Sequence, residues 1–315
     1  MNAAKRSSPR PTVAAFAREF ISVYARANNK PSEIRSKESM LRTHLLPEFG
    51  RLRLDQIDAH RVERYKAERL SGGLTAKTIN NHLAVLRRML AVATEWNVVG
   101  AAPRIKRLRT VEPKFDFLAL EEAERLVACA EGEWRTMIAV ALKTGLRLGE
   151  LLALRWDDVN LDRGLLTVRR AASRGIVGTP KSGRNRDVEL SAGAVRLLQG
   201  HRHSRGELVF CNARGAMWTT SLCRAPMARA CRRAGLRLIG WHVLRHTFAS
   251  HLAMRGVPLR AIQLLLGHST IAMTERYAHL SPTLIRKAVQ RLDRSGARFS
   301  RLGARLLSIF GAGKT

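Results

Sequence analysis

Five side chains in this sequence form a set suited to holding and cleaving a phosphodiester. They are Arg147 in TGLRLGE, His242 and Arg245 in HVLRH, His268 in LGH and Tyr277 in TERYAHL. Arginine is the strongest phosphate clamp among the side chains, because its planar fork stays charged and grips two oxygens at once. A tyrosine hydroxyl ordinarily titrates near about 10, so a nucleophilic one needs a base or a strongly positive site. In a chain with 56 lysines and arginines, chance scatter is the competing explanation. Each residue singly also has a bland reading: a core tyrosine, a histidine bonded locally in a turn, an arginine in a surface ion pair.

Local context sharpens the set. His242 and Arg245 are three apart, which puts them on one face at the start of a helix that points Leu244, Phe248 and Leu252 inward. A helix N-terminus favours phosphate. His246 makes a His-x-x-x-His pair with His242, but the intervening Val-Leu-Arg offers no glutamate base and no third ligand is evident, so no metal is expected. Arg147 follows the Thr144–Gly145 turn and precedes Glu150, which either pairs with it superficially or orients it. Lys181, in TPKSGRNRDVEL, falls where a strand meets a turn, as a backbone-phosphate contact or a proton donor. His268 follows Gly267, a helix-ending residue. Tyr277 is expected in a helix over 270–278 with Ser269 as its N-cap.

The elements that must position these groups are mostly helical. Apolar residues recur at helical spacing through 12–97: Val13, Phe16, Phe20, Val23 and Tyr24, then Ile79, Leu83, Leu86 and Leu90 after an N-cap at Thr75. Shorter helices are expected over 33–46 and 59–70. Pro103, Arg104, Lys106, Arg107, Arg109, Pro113 and Lys114 mark a basic linker over 100–114. Beyond it, helices are expected over 121–130, 134–143 and 149–154, strands over 165–170 and 187–190, and helix again to about 293. The division expected is 12–99, a helical domain; 100–114, the linker; 115–294, a second domain that carries the five residues; and 295–315, a basic tail.

Composition narrows the partner. The 315 residues are 45% hydrophobic, enough for real cores, and the formal charge is +31. Such a balance implies a polyanion, nucleic acid first and anionic membrane second. The N-terminus has no apolar stretch of signal-peptide type, and the longest apolar runs are too short to span a bilayer. Cys129, Cys211, Cys223 and Cys231 have no metal-site spacing and read as reduced thiols of a cytoplasmic protein.

TGLRLGELLALRWDD, HVLRHTFASHL and LLGHSTIAMTERYAHL together resemble the catalytic boxes of the tyrosine recombinases, the phage integrase family, in the family's order. The likeness covers the whole second domain, and the first is similar to the family's core-binding domain. The length is closer to Xer-type enzymes and short mobile-element integrases, with no arm-binding domain of the lambda integrase kind.

The resemblance implies a mainly α fold with a small antiparallel β-sheet, in two domains that clamp DNA. It implies that Tyr277 attacks the scissile phosphate to form a 3′-phosphotyrosyl link. Arg147 and Arg245 would clamp the non-bridging oxygens, with His268 as a further donor. Lys181 would be the general acid, His242 would assist proton transfer at the tyrosine, and Glu150 would brace Arg147. Arg87, Arg88, Arg104, Lys106, Arg107, Arg184 and Arg186 are expected on the DNA backbone. No metal or other cofactor is implied. The implied partner is double-stranded DNA with an inverted-repeat core site, bound by a homotetramer in the synapse and a monomer otherwise, with an accessory directionality factor and no membrane. A type IB topoisomerase-like relaxing activity and a non-catalytic architectural DNA-binding protein are the alternatives.

Overall fold

The computed structural model describes residues 10–111, 115–173, 175–180, 183–280 and 290. The chain divides into two compact units, 1–114 and 115–315. The tail expected over 295–315, Lys181 and the last three linker residues lie outside the described residues.

The first unit is helical. It runs through α1 (Val13–Glu19), a π-helical stretch Phe20–Ala25, α2 (Arg26–Asn28), α3 (Pro31–Met40), a second π-helical stretch Leu41–Leu45, α4 (Leu46–Phe49), α5 (Ala59–Ser71) and α6 (Ala76–Glu95). The caps follow from side-chain chemistry. Thr12 Oγ1 accepts from the Ala15 amide, Asp58 from Arg61 and Thr75 from Thr78, satisfying first-turn donors that have no partner within the helix. The three-and-four spacing of Ile79, Leu83, Leu86 and Leu90 buries one face of α6 against Phe16, Phe20, Leu45 and Phe49. Part of the basic linker is fastened to this unit. Ile105 is buried in its core, Leu108 packs against it, and Asn80 and the Leu108 backbone exchange two hydrogen bonds of 2.9 Å. Lys106 and Arg107 between these anchors, and Arg104 just before them, are exposed.

The second unit opens with α7 (Leu120–Cys129), α8 (Gly132–Thr144) and α9 (Leu148–Leu152). Five short strands follow: β1 (Val159–Asn160), β2 (Leu165–Val168), β3 (Ala171–Ser173), β4 (Ile176–Gly178) and β5 (Arg186–Glu189). They form an antiparallel sheet in the order β1-β2-β5 and a separate β3-β4 hairpin. Leu166 pairs with Val188, both fully buried, so the register turns one apolar stripe to the core and places Arg186 opposite Val168. The chain continues through α10 (Ala192–Gly200), α11 (Arg224–Arg233), α12 (Trp241–Met254), α13 (Leu259–Leu266) and α14 (Ala272–Glu275), with a 3-10 turn at Ala278–Leu280. The fold is thus mainly α with small antiparallel sheets.

Three expectations need correction. The stretch 201–223 is not helical; it loops and turns, with Val209, Phe210 and Cys211 buried. The helix around Tyr277 is shorter than 270–278: α14 covers four residues, and Tyr277 sits in the turn after it. Ser269 does not cap it. The preceding residue is Ile271, which has no capping side chain, and Ser269 Oγ lies 3.7 Å from Met273 Sδ. Thr and Met at mid-helix with little apolar repeat leave α14 to be held by tertiary contacts rather than by its own periodicity.

Candidate active site

Arg147 is the N-cap residue of α9, extended at φ −72° and ψ 151°. Its amide donates to Glu150 Oε2 and its Nη1 to Oε1, both at 2.9 Å. The Glu150 carboxylate is nearly sealed, with 1% of its side chain exposed, while Arg147 keeps 22%. A buried carboxylate needs compensating charge. A second arginine supplies it: Arg186 of β5 donates from Nη1 to Oε1 at 3.0 Å and from Nη2 to Oε2 at 2.7 Å. Burial alone would raise the Glu150 carboxyl. The Arg186 hydrogen bonds and charge, then those of Arg147, outweigh it and hold the group down at about 2.

Arg245, on α12, is 1% exposed. Its Nη1 donates to the Gly145 carbonyl at 2.8 Å and its Nη2 to the Leu266 carbonyl at 2.5 Å. One guanidinium therefore ties the turn two residues before Arg147 to the helix end two residues before His268. Both ends are set by left-handed glycines, Gly145 at φ 65° and Gly267 at φ 63°. A Cβ at Gly145 would stand 2.4 Å from Phe248 Cδ1, and one at Gly267 would stand 2.6 Å from Arg186 Cδ. Burial, then the charge of Arg147, pushes Arg245 down to about 9, still cationic at neutral pH.

His268 is half-buried. Its amide donates to the Gln263 carbonyl at 3.1 Å, and its Nδ1 shares a 2.9 Å hydrogen bond with Thr274 Oγ1. Burial, then the charges of Arg245 and Arg147, lowers its pKa to about 3, so the ring is neutral. When the Thr274 hydroxyl donates to Nδ1, the proton resides on Nε2 as a donor.

Tyr277 is 1% exposed, in a cluster with Phe248, Ile262 and Leu266. Its hydroxyl shares a 2.8 Å hydrogen bond with His246 Nδ1. Phe115 meets both rings edge-on, at 5.3 Å from His246 and 5.4 Å from Tyr277. Burial raises the Tyr277 pKa against the lowering pull of Arg245 and Arg276. Burial, then the neighbouring His242, lowers that of His246 to about 4. His242 is exposed and stands edge-on to His246 at 4.5 Å.

The structure therefore brings Arg147, Glu150, Arg245 and His268 into one hydrogen-bonded framework and places Tyr277 in the cluster beside Arg245. His246, set aside on sequence as half of a zinc look-alike, is the histidine bonded to the phenol. Its one sequence signal was its position four residues after His242, next to Arg245. Arg186, expected on DNA, is instead half-buried against Glu150. Arg87, Arg104, Lys106, Arg107 and Arg184 are exposed. Arg88 is half-buried and donates to Tyr24 Oη at 2.8 Å and to Glu95. Among the described residues, no group of three or more His, Cys, Asp or Glu could hold a metal ion.

Residues 116–283 match the profile of the phage integrase family. The integrase of Salmonella phage P22 is 28% identical over 225 residues, 67% of this chain, and the chain spans only 56% of that protein's length. The tyrosine recombinase XerC of Xanthomonas axonopodis pv. citri is 30% identical over 237 residues, 71% of this chain and 74% of the relative. The fold is shared with the Tn1549 transposon integrase solved in complex with a circular intermediate DNA: TM-score 0.76 at 21% identity, over 89% of this chain and 99% of the other. These likenesses define an enzyme class that breaks and rejoins DNA. The chain belongs to the phage integrase family.

Proposed function

We propose that the protein is a site-specific recombinase that integrates, excises or resolves DNA through a 3′-phosphotyrosyl intermediate on Tyr277. The Tyr277 oxygen bonds to the scissile phosphorus, its proton leaves to a nearby base, and the bond to the 5′ oxygen breaks. That oxygen takes a proton and departs as a 5′-hydroxyl. Attack by a 5′-hydroxyl on the phosphotyrosine reverses the step and rejoins a strand. The observation that carries this reading is a phenol 2.8 Å from a neutral histidine, clustered with the buried Arg245 and the partly exposed Arg147. Arg147, Arg245 and the Nε2 of His268 stabilise charge that builds on the non-bridging oxygens, usually the largest single contribution to such a rate. Lys181 protonates the leaving oxygen. His242 is assigned to proton transfer at the tyrosine, acting beside His246.

The charge of +31 supports double-stranded DNA as the partner. On this reading 12–99 forms the core-binding domain, 100–114 a basic linker with Arg104, Lys106 and Arg107 on the backbone, and 115–294 the catalytic domain, followed by a basic tail. Four protomers assemble on inverted-repeat core sites, with a directionality factor, in the cytoplasm. Among the described residues no helix is long and apolar enough to cross a membrane.

The test is to incubate the protein with nicked duplexes cut from the DNA flanking its gene and to look for an adduct stable to detergent. The wild type is expected to form one and Tyr277→Phe none. An adduct persisting in Tyr277→Phe overturns the assignment of the nucleophile.

A further inference from the structure

Arg186 stands where three motif segments meet. From β5 it holds both oxygens of Glu150, at 3.0 and 2.7 Å. Its Nε donates to the Leu265 carbonyl at 3.3 Å, in the last turn of α13. Its stem lies so close to Gly267 that no side chain fits there without moving it. Arg186 also follows Lys181 by five residues in the sequence.

The charges give this arrangement a purpose. Glu150 alone with Arg147 would draw it into a two-pronged pair, the preferred geometry of guanidinium and carboxylate, and neutralise it. With Arg186 present, both oxygens already have a donor, and Arg147 reaches the carboxylate through Nη1 and its amide. The three groups together carry one net positive charge. Arg186 has 9% of its side chain exposed against 22% for Arg147, so the outward-facing cation is Arg147.

We propose that Arg186 is a positioning residue for strand cleavage: it occupies the Glu150 carboxylate so that Arg147 is oriented without being neutralised, and it fastens the turn before His268 to strand β5. This rests on the reading of the protein as a DNA-cleaving enzyme. It differs from a phosphate contact, because the side chain is spent on protein acceptors.

The experiment compares wild type, Arg186→Gln, Arg186→Lys, Glu150→Gln and the Arg186→Gln/Glu150→Gln double variant. The probe is the nicked duplex from the gene's flanking DNA. Covalent adduct rate and DNA affinity are measured separately, with circular dichroism to verify folding. Arg186→Gln is expected to cleave about 10- to 100-fold more slowly, the range seen when groups that orient ligands in metal sites are removed, with affinity within about twofold. Removing the carboxylate as well is expected to restore part of the rate, because Arg147 is no longer captured. Lysine keeps the charge but lacks the fork, so Arg186→Lys is expected to fold and to be slowed without loss of affinity.

Wild-type cleavage by Arg186→Gln overturns the proposal. So does a loss of rate matched by loss of affinity, which marks a DNA contact, or a double variant slower than Arg186→Gln, which marks a merely structural role. If Arg186→Gln does not fold, Arg186→Lys decides: cleavage at the wild-type rate overturns the proposal. Failure of the underlying functional reading is distinct, since the wild type itself would then form no adduct.

Discussion

The Tyr277 hydroxyl lies 2.8 Å from His246 Nδ1, and the phenol is 1% exposed. The proposed nucleophile is therefore held in a closed cluster, hydrogen-bonded to a neutral imidazole, rather than presented to solvent. With the hydroxyl as donor, Nδ1 is already placed to receive its proton. His246→Phe, which keeps a ring and removes the acceptor, is expected to slow adduct formation by about 100-fold or more. The measurement is single-turnover cleavage of the nicked duplex; an unchanged rate would assign the proton elsewhere.

Removing the wall of the cluster is expected to act differently. Phe115 packs edge-on against both Tyr277 and His246 and takes no part in proton transfer. Phe115→Ala removes a partly buried ring from the edge of the cluster and is expected to lower stability by about 1–3 kcal/mol. It also uncovers the phenol. Urea unfolding measures the first effect, and the reaction of Tyr277 with a tyrosine-selective reagent measures the second.

Glu150 is expected to be the most sensitive charge in the second unit. Glu150→Gln leaves Arg186 sealed without a counter-ion, and removing one partner of a buried pair typically costs about 3–5 kcal/mol. A denaturant midpoint close to that of the wild type would contradict this.

One buried and two half-buried histidines set an acid limit on stability. Burial, first, lowers His82, His246 and His268 to about 4, 4 and 3, from an ordinary value of 6.5. The unfolded chain therefore binds more protons as pH falls through 6.5, and stability falls with it. The loss continues until the folded rings titrate, near 4 and 3. The urea midpoint is expected to drop between about pH 7 and about pH 5, a window above the Glu150 titration. His82→Phe, which replaces a ring bonded to Tyr65 at 2.9 Å, is expected to flatten part of that slope.

Gly145→Ala is expected to destabilise the turn before Arg147. Its φ of 65° suits glycine, and the added methyl would meet Phe248 Cδ1 at 2.4 Å. Left-handed backbone in a non-glycine residue costs about 1–3 kcal/mol before any clash. Because Arg245 donates to the Gly145 carbonyl, slower cleavage should accompany the lower melting temperature.

Much of this organisation is legible in the sequence where local chemistry decides. The apolar repeat of α6 and the Thr75 cap are read directly from spacing, and the three-residue step from Arg147 to Glu150 places both at one helix start. The failures lie where tertiary contacts decide. Strands β3 and β4 are three residues each, too short for alternation to register. Residues 201–223 contain ordinary helix formers, yet bury Val209 and Phe210 without a helix. Arg186 looks like one more cation in a basic hairpin, because its partner Glu150 is 36 positions away. His246 escapes a sequence reading because its local pattern, histidine repeated after four residues, matches only a metal pair that lacks a third ligand, while its relevant neighbour is Tyr277, 31 positions on.

Phe115 has a practical consequence for dissecting the molecule. It is the first residue of the second unit, and its ring forms part of the enclosure around Tyr277. A fragment starting a few residues later would still contain every motif residue from Arg147 to Tyr277 and would still look complete by its sequence. It would lack one side of the nucleophile's housing, so its reactivity would describe the truncated piece and not the protein. Fragments intended to report on the chemistry of the second unit should begin upstream of this aromatic ring.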